Sequence, residues 1–89
     1  MSGLAAKING GAKVVDVRTS EEFGEEHYPN ALNIPVDQLQ RRMADLGARQ
    51  TPIVLYCASG SRSAYAAMML RAAGFSDVTN AGGLEDMPQ

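Results

Sequence analysis

Short apolar runs of strand type alternate along the chain with stretches whose apolar positions recur at helical spacing. Four runs read as strands: "AKVVDVR" at 12–18, "ALNIP" at 31–35, "PIVLYC" at 52–57 and "SDVTNAGG" at 76–83. The third is an unbroken apolar run, the pattern of a strand covered on both faces. Between them, "TSEEF" opens a helix: Thr19 or Ser20 can cap, and Glu21 and Glu22 fall in a first turn, where negative charge is favoured. In "VDQLQRRMADLG", Leu39, Met43 and Leu46 recur at helical spacing ahead of Gly47, which predicts one helix there. "RSAYAAMMLRAAGF" predicts another, with Arg71 in its last turn and Gly74 as its stop. The stretch before residue 12 adds a short helix with Leu4 and Ile8 on its inner side.

Strands alternating with helices predict βαβ units, and hence an α/β fold with a mainly parallel sheet and right-handed crossovers. Ligands of such sheets bind just beyond the carboxyl ends of the strands. Residues 16–18, 33–35 and 80–83, together with Cys57, occupy those ends.

Composition narrows the function. Eighty-nine residues make one domain, 1–89, of ordinary globular make-up: 45% hydrophobic and 20% charged. A net charge of -2, with Lys and Arg scattered among Asp and Glu, gives no footprint for nucleic acid and no basic membrane-surface helix. The single cysteine excludes an internal disulfide, and no Cys/His set has zinc-site spacing, so neither a metal nor another cofactor is implied. "MSGLAAKINGG" lacks the apolar run of a signal peptide, so the expected compartment is the cytoplasm, or the periplasm if a leader was trimmed.

That one cysteine, Cys57, ends the apolar strand and is followed by Ala58, Ser59, Gly60, Ser61, Arg62 and Ser63. A lone cysteine in this position is most simply a small buried hydrophobe. The loop after it argues otherwise. A strand, a tight loop of small residues and a helix N-terminus make an anion cradle of inward-facing amides, and Gly60 permits an unusual dihedral. Arg62 in a first helical turn opposes the helix dipole at a cost of a few tenths to ~1 kcal/mol, which makes sense if an anion lies between it and the amides. The same positive field favours a thiolate at Cys57 without a histidine base. Ser61 and Ser63 either cap the helix or touch a ligand, capping being the simpler role.

The segments "VVDVRTSEEF", "EEHYPNALNIP", "YCASGSRS" and "VTNAGGLEDM", in this order and spacing, resemble the single-domain rhodaneses, and the closing stretch resembles the small phage-shock-type bacterial members. The resemblance implies an open parallel sheet of four to five short strands flanked by helices on both faces. It implies a sulfurtransferase in which Cys57 is the nucleophile and takes sulfur from thiosulfate as a persulfide. The amides of residues 58–62 would stabilise the charge, and Arg62 would bind the sulfonate end. Cyanide or a thiol would accept the sulfur, a thiol protein such as thioredoxin among the candidates, and the chain would act as a monomer.

Asp16, Arg18 and Ser63 would support the site. Asp16 would brace it by pairing with the loop or with an arginine, the alternatives being a helix cap or a surface carboxylate; Arg18 would contact the anion or form a solvated salt bridge. His27 lies on the 25–30 turn, where the resemblance implies a structural role ahead of the alternative, proton transfer. The resemblance has departures: Glu26 and Asn30 stand where glycines are common, and no first edge strand is evident ahead of Val14. Tyrosine phosphatases and arsenate reductases also cradle a thiolate, but with five residues between Cys and Arg, whereas here only Ala58, Ser59, Gly60 and Ser61 intervene. A non-catalytic sulfur-carrier or interaction module is the other alternative.

Overall fold

A computed structural model describes residues 3–89. The valine pair at 14–15 and the apolar run at 53–57 form the two central strands of a four-stranded parallel sheet. In chain order the elements are α1 (Gly3–Asn9), β1 (Lys13–Asp16), α2 (Ser20–Glu25), β2 (Leu32–Asn33), the 3-10 segments Val36–Gln38 and Gln40–Leu46, β3 (Ile53–Cys57), α3 (Ser61–Ala72), β4 (Val78–Gly83) and a 3-10 turn at Leu84–Asp86. Strand order is β2-β1-β3-β4. The chain leaves β1 toward one edge and leaves β3 toward the other, which opens a crevice between the carboxyl ends of β1 and β3. Asp16 and Cys57 are the last residues of those two strands.

Strand pleating sends alternate side chains to opposite faces. Val15, Ile53, Leu55 and Cys57 join Ile34, Leu39, Leu46, Leu70 and Phe75 in the larger core. Val14, Val54 and Tyr56 form the smaller one with Met87, against which Leu4 and Ile8 of α1 pack. An ion pair between Lys7 and Asp77 ties α1 to the turn before β4. Among the described residues ahead of β1 there is this helix and no edge strand, so the sheet has the lower of the two expected strand counts. No helix among the described residues is long and apolar enough to cross a membrane.

One element departs from the periodic reading. The helix expected over 36–47 is two 3-10 segments with a kink at Arg42 (φ -111°, ψ 15°). Leu39 and Leu46 are both fully buried, and Arg42 is held by Gln38 Oε1 (3.1 Å) and Asp45 (3.1 Å). Tertiary anchoring here overrides a modest helical propensity. Asn30, standing where a glycine is common, takes the left-handed conformation at φ 67°, which asparagine tolerates better than most residues.

The pairing of β3 with β4 contains a bulge. Leu55 lies opposite Asn80, but Tyr56 lies opposite Gly82, so Ala81 is an extra residue on β4. Beyond it, Gly82 and Gly83 run alongside the end of β3 and the loop that follows Cys57.

Candidate active site

Cys57 is fully buried, and its sulfur is ringed by donors. The Gly60 amide donates to Sγ at 3.0 Å, the Ser63 amide at 3.4 Å, and the Ser63 hydroxyl lies 3.4 Å from it. The loop closes this tightly because Gly60 adopts φ 99°, a left-handed conformation suited to glycine. Burial pushes the thiol up; the Ser63 hydroxyl and the amides of Ser63, Gly60 and Ser59 pull it down further, and Cys57 ends below the ordinary cysteine value. The arrangement favours a thiolate in the absence of a histidine base.

The other loop residues have separate places. Ala58 is exposed, and its carbonyl packs against Gly83. Ser59 and Ser61 are exposed, with their hydroxyls 3.4 Å apart. Neither Ser61 nor Ser63 caps α3: the cap position belongs to Gly60, which has no side chain to offer. Ser63 instead turns inward, fully buried, toward Cys57 and toward Asn80 Oδ1 at 2.6 Å.

Arg62 has an internal anion. Its Nη1 and Nη2 donate to the two carboxylate oxygens of Glu22 at 2.8 and 3.1 Å. Glu22 also completes the N-terminal capping box of α2, accepting from the Thr19 amide at 3.0 Å. One carboxylate thus offsets the placement of a cation at the start of α3 and fixes the start of α2. Its partnership with Glu22 was not anticipated from the sequence, although the Thr19-x-x-Glu22 spacing of a capping box is a readable signal there.

The Arg62 guanidinium, with help from the Thr19 amide, holds the Glu22 carboxyl at about 2, well below its ordinary value. The folded form is therefore the weaker proton binder. Stability from this pair is present above the unfolded carboxyl range and is lost as the pH falls toward 2. We expect the Glu22 carboxyl resonance to titrate near that pH, and Glu22→Gln, which keeps the capping box, to flatten the acid-unfolding profile between roughly pH 4.5 and 2.

Asp16 and Arg18 form a buried pair. The Asp16 carboxylate accepts from the Arg18 amide (2.9 Å), Nε (3.0 Å) and Nη2 (2.7 Å), while Nη2 also donates to the Glu26 carbonyl. Asp16 is fully buried and Arg18 nearly so, which excludes the surface carboxylate and the solvated salt bridge weighed for them. Of the two braces considered for Asp16, it takes the arginine and not the loop. The Arg18 guanidinium lies 5.6 Å from the centre of the Tyr56 ring, and the Tyr56 hydroxyl, pushed up to about 12 chiefly by burial, accepts from the Tyr28 amide at 2.9 Å. His27 stacks on Phe23 at 3.8 Å, with Nδ1 2.8 Å from the Phe23 carbonyl.

Residues 2–87 match the family of the rhodanese-like domain. The thiosulfate sulfurtransferase PspE of Escherichia coli is 35% identical over 74 residues, covering 82% of this chain and 71% of that protein. A sulfurtransferase of Allochromatium vinosum is 34% identical over 70 residues, covering 79% of this chain and 64% of its own length. Among solved structures, a rhodanese with anions from E. coli has a TM-score of 0.82 at 34% identity and covers 88% of this chain and 95% of that one. The human single-domain sulfurtransferase TSTD1 has a TM-score of 0.79 at 28% identity, covering 92% and 85%.

Proposed function

This chain belongs to the rhodanese family of sulfurtransferases, and from that premise we propose that it moves the outer sulfur of thiosulfate to cyanide or a thiol through a persulfide on Cys57. The observation that carries the reading is the donor ring on a buried sulfur: the amides of Gly60 and Ser63 and the Ser63 hydroxyl all converge on Sγ.

In the first half-reaction the Cys57 thiolate attacks the sulfane sulfur of thiosulfate. A new S–S bond forms at Cys57, the S–S bond of thiosulfate breaks, and the electron pair leaves with sulfite. The negative charge then resides on the outer persulfide sulfur, at the mouth of an amide-lined loop suited to stabilise it. In the second half-reaction cyanide attacks that outer sulfur, departs as thiocyanate and returns the electron pair to Cys57. No oxidant or reductant is consumed, and the cycle is ping-pong covalent catalysis.

Arg62 is the cation for the sulfonate end. Glu22 accepts one N–H from each terminal nitrogen; a guanidinium carries five N–H donors, so this pairing uses two of them and the sulfonate would take others. The four-residue interval between Cys57 and Arg62 supports a terminal sulfur over a phosphate ester, because a shorter ring leaves less room for attack at a tetrahedral centre.

Intact mass spectrometry after thiosulfate treatment should show a gain of one sulfur atom, which the single cysteine assigns to Cys57. Cyanide should remove it, with thiocyanate released over many turnovers. A sulfur taken up but never turned over would make the protein a carrier and overturn the enzymatic reading. Hydrolysis of an aryl phosphate without sulfur uptake would overturn sulfur transfer altogether.

A further inference from the structure

Asn80 has no part in the mechanism above, yet its amide sits against the active loop. Its orientation is set by one partner that can only donate and one that can only accept. The Gly82 amide donates to Oδ1 at 2.9 Å, and Nδ2 donates to the Gly60 carbonyl at 3.2 Å. The amide turned end for end would satisfy neither. Oδ1 therefore faces the Ser63 hydroxyl, 2.6 Å away, as an acceptor.

Ser63 has one hydroxyl proton to give. Asn80 Oδ1 is the nearest claimant; the carbonyls of Gly60 at 3.2 Å and Gly82 at 3.4 Å also lie within reach, and Cys57 Sγ, 3.4 Å from the same oxygen, is the claimant that matters for chemistry. When Cys57 is a neutral thiol, the Ser63 proton points to Asn80, and the sulfur can place its own proton on the lone pairs of Ser63 Oγ. When Cys57 is a thiolate it has no proton; it keeps the Gly60 and Ser63 amides, and gains the hydroxyl as a further donor only if Ser63 turns away from Asn80. Full stabilisation of the thiolate therefore comes at the expense of the Ser63–Asn80 bond. We propose that Asn80 is a positioning residue that sets the reactivity of Cys57 by competing with its sulfur for the Ser63 hydroxyl proton.

The charges around Cys57 leave this competition intact. From α3 the Arg62 charge acts on the sulfur and is itself held by Glu22 of α2. From the end of β1, Asp16 and Arg18 neutralise each other. No residue of β4 is ionisable. A neutral replacement of Asn80 thus changes no charge; besides Ser63 it releases the Gly82 amide and the Gly60 carbonyl, which a Ser63→Ala background separates from the effect on Ser63.

The test is the rate of iodoacetamide alkylation of the native protein against pH, whose midpoint reports thiolate formation. Asn80→Ala should lower the midpoint by about 0.5–1 pH unit, the worth of one hydrogen bond. In a Ser63→Ala background the same change should leave the midpoint where it was. A midpoint that stays or rises in Asn80→Ala overturns the proposal, and so does an equal fall in both backgrounds, which would trace to loop movement. Asn80→Asp keeps an oxygen opposite Ser63 and the Gly82 amide, and should raise the midpoint more with Ser63 present than in the Ser63→Ala background; an equal rise would be a plain charge effect and would also overturn it. Alkylation needs no sulfur donor, so the result is independent of the sulfurtransferase reading.

Discussion

Asp16→Ala is expected to destabilise the protein by about 3–5 kcal/mol, the cost of leaving one member of a buried ion pair alone. Among the described residues, the Asp16 carboxylate is the only anionic group bonded to the Arg18 side chain, which is 7% exposed and lies over Tyr56. Without it, the guanidinium keeps the Glu26 carbonyl and Tyr56, neither of which carries a negative charge at neutral pH. A chain of 89 residues has on the order of 4–13 kcal/mol of total stability, so the loss takes a large share of it. Urea unfolding measures this directly. A double variant, Asp16→Leu with Arg18→Met, should lose less than the two single losses added together, because it removes the stranded charge as well as the pair. Strict additivity would show that the two residues act independently and would refute the pairing.

The second large effect falls on activity. Gly83→Ala should reduce sulfur transfer about 100-fold while costing about 1–3 kcal/mol of stability. The backbone at Gly83 is ordinary extended chain (φ -98°, ψ 170°), so alanine meets no dihedral strain there. The obstacle is the Ala58 carbonyl, which lies where a Cβ would stand. Both sides of that contact are backbone, and the loop must move as a unit to relieve it. Such a shift carries the Gly60 and Ser63 amides off the Cys57 sulfur. Gly24→Ala on α2, where a Cβ meets open space, is the control and should leave kcat and KM unchanged. If both variants transfer sulfur equally well, loop placement by β4 does not govern the chemistry.

The α/β architecture was legible because strands and helices alternate in pattern, and the place of Cys57 because its apolar run ends where such sheets bind ligands. Local signals read well at Thr19, Glu22 and Gly74. They failed at 36–47, where the spacing of Leu39, Met43 and Leu46 suits a helix but burial and the grip on Arg42 impose two shorter segments. The pairings of Arg62 with Glu22 and of Ser63 with Asn80 span 40 and 17 residues. Long-range side-chain partners leave no periodic trace in a sequence, which is why Arg62 looked like an unpartnered cation and Ser63 like a helix cap. The Asp16–Arg18 pair was within reach, since only one residue separates them. Its depth was not, because burial of a charged pair depends on the elements that cover it.

The extra residue at Ala81 makes two distant stretches inseparable for anyone re-engineering the catalyst. By offsetting Gly82 and Gly83 against Tyr56 and Cys57, it lets residues 58–63 and 80–83 clasp each other. Donor-swapping libraries built on the loop alone would therefore meet a mismatched clasp; the workable cassette is both segments, exchanged together with the length between Asn80 and Gly83 preserved.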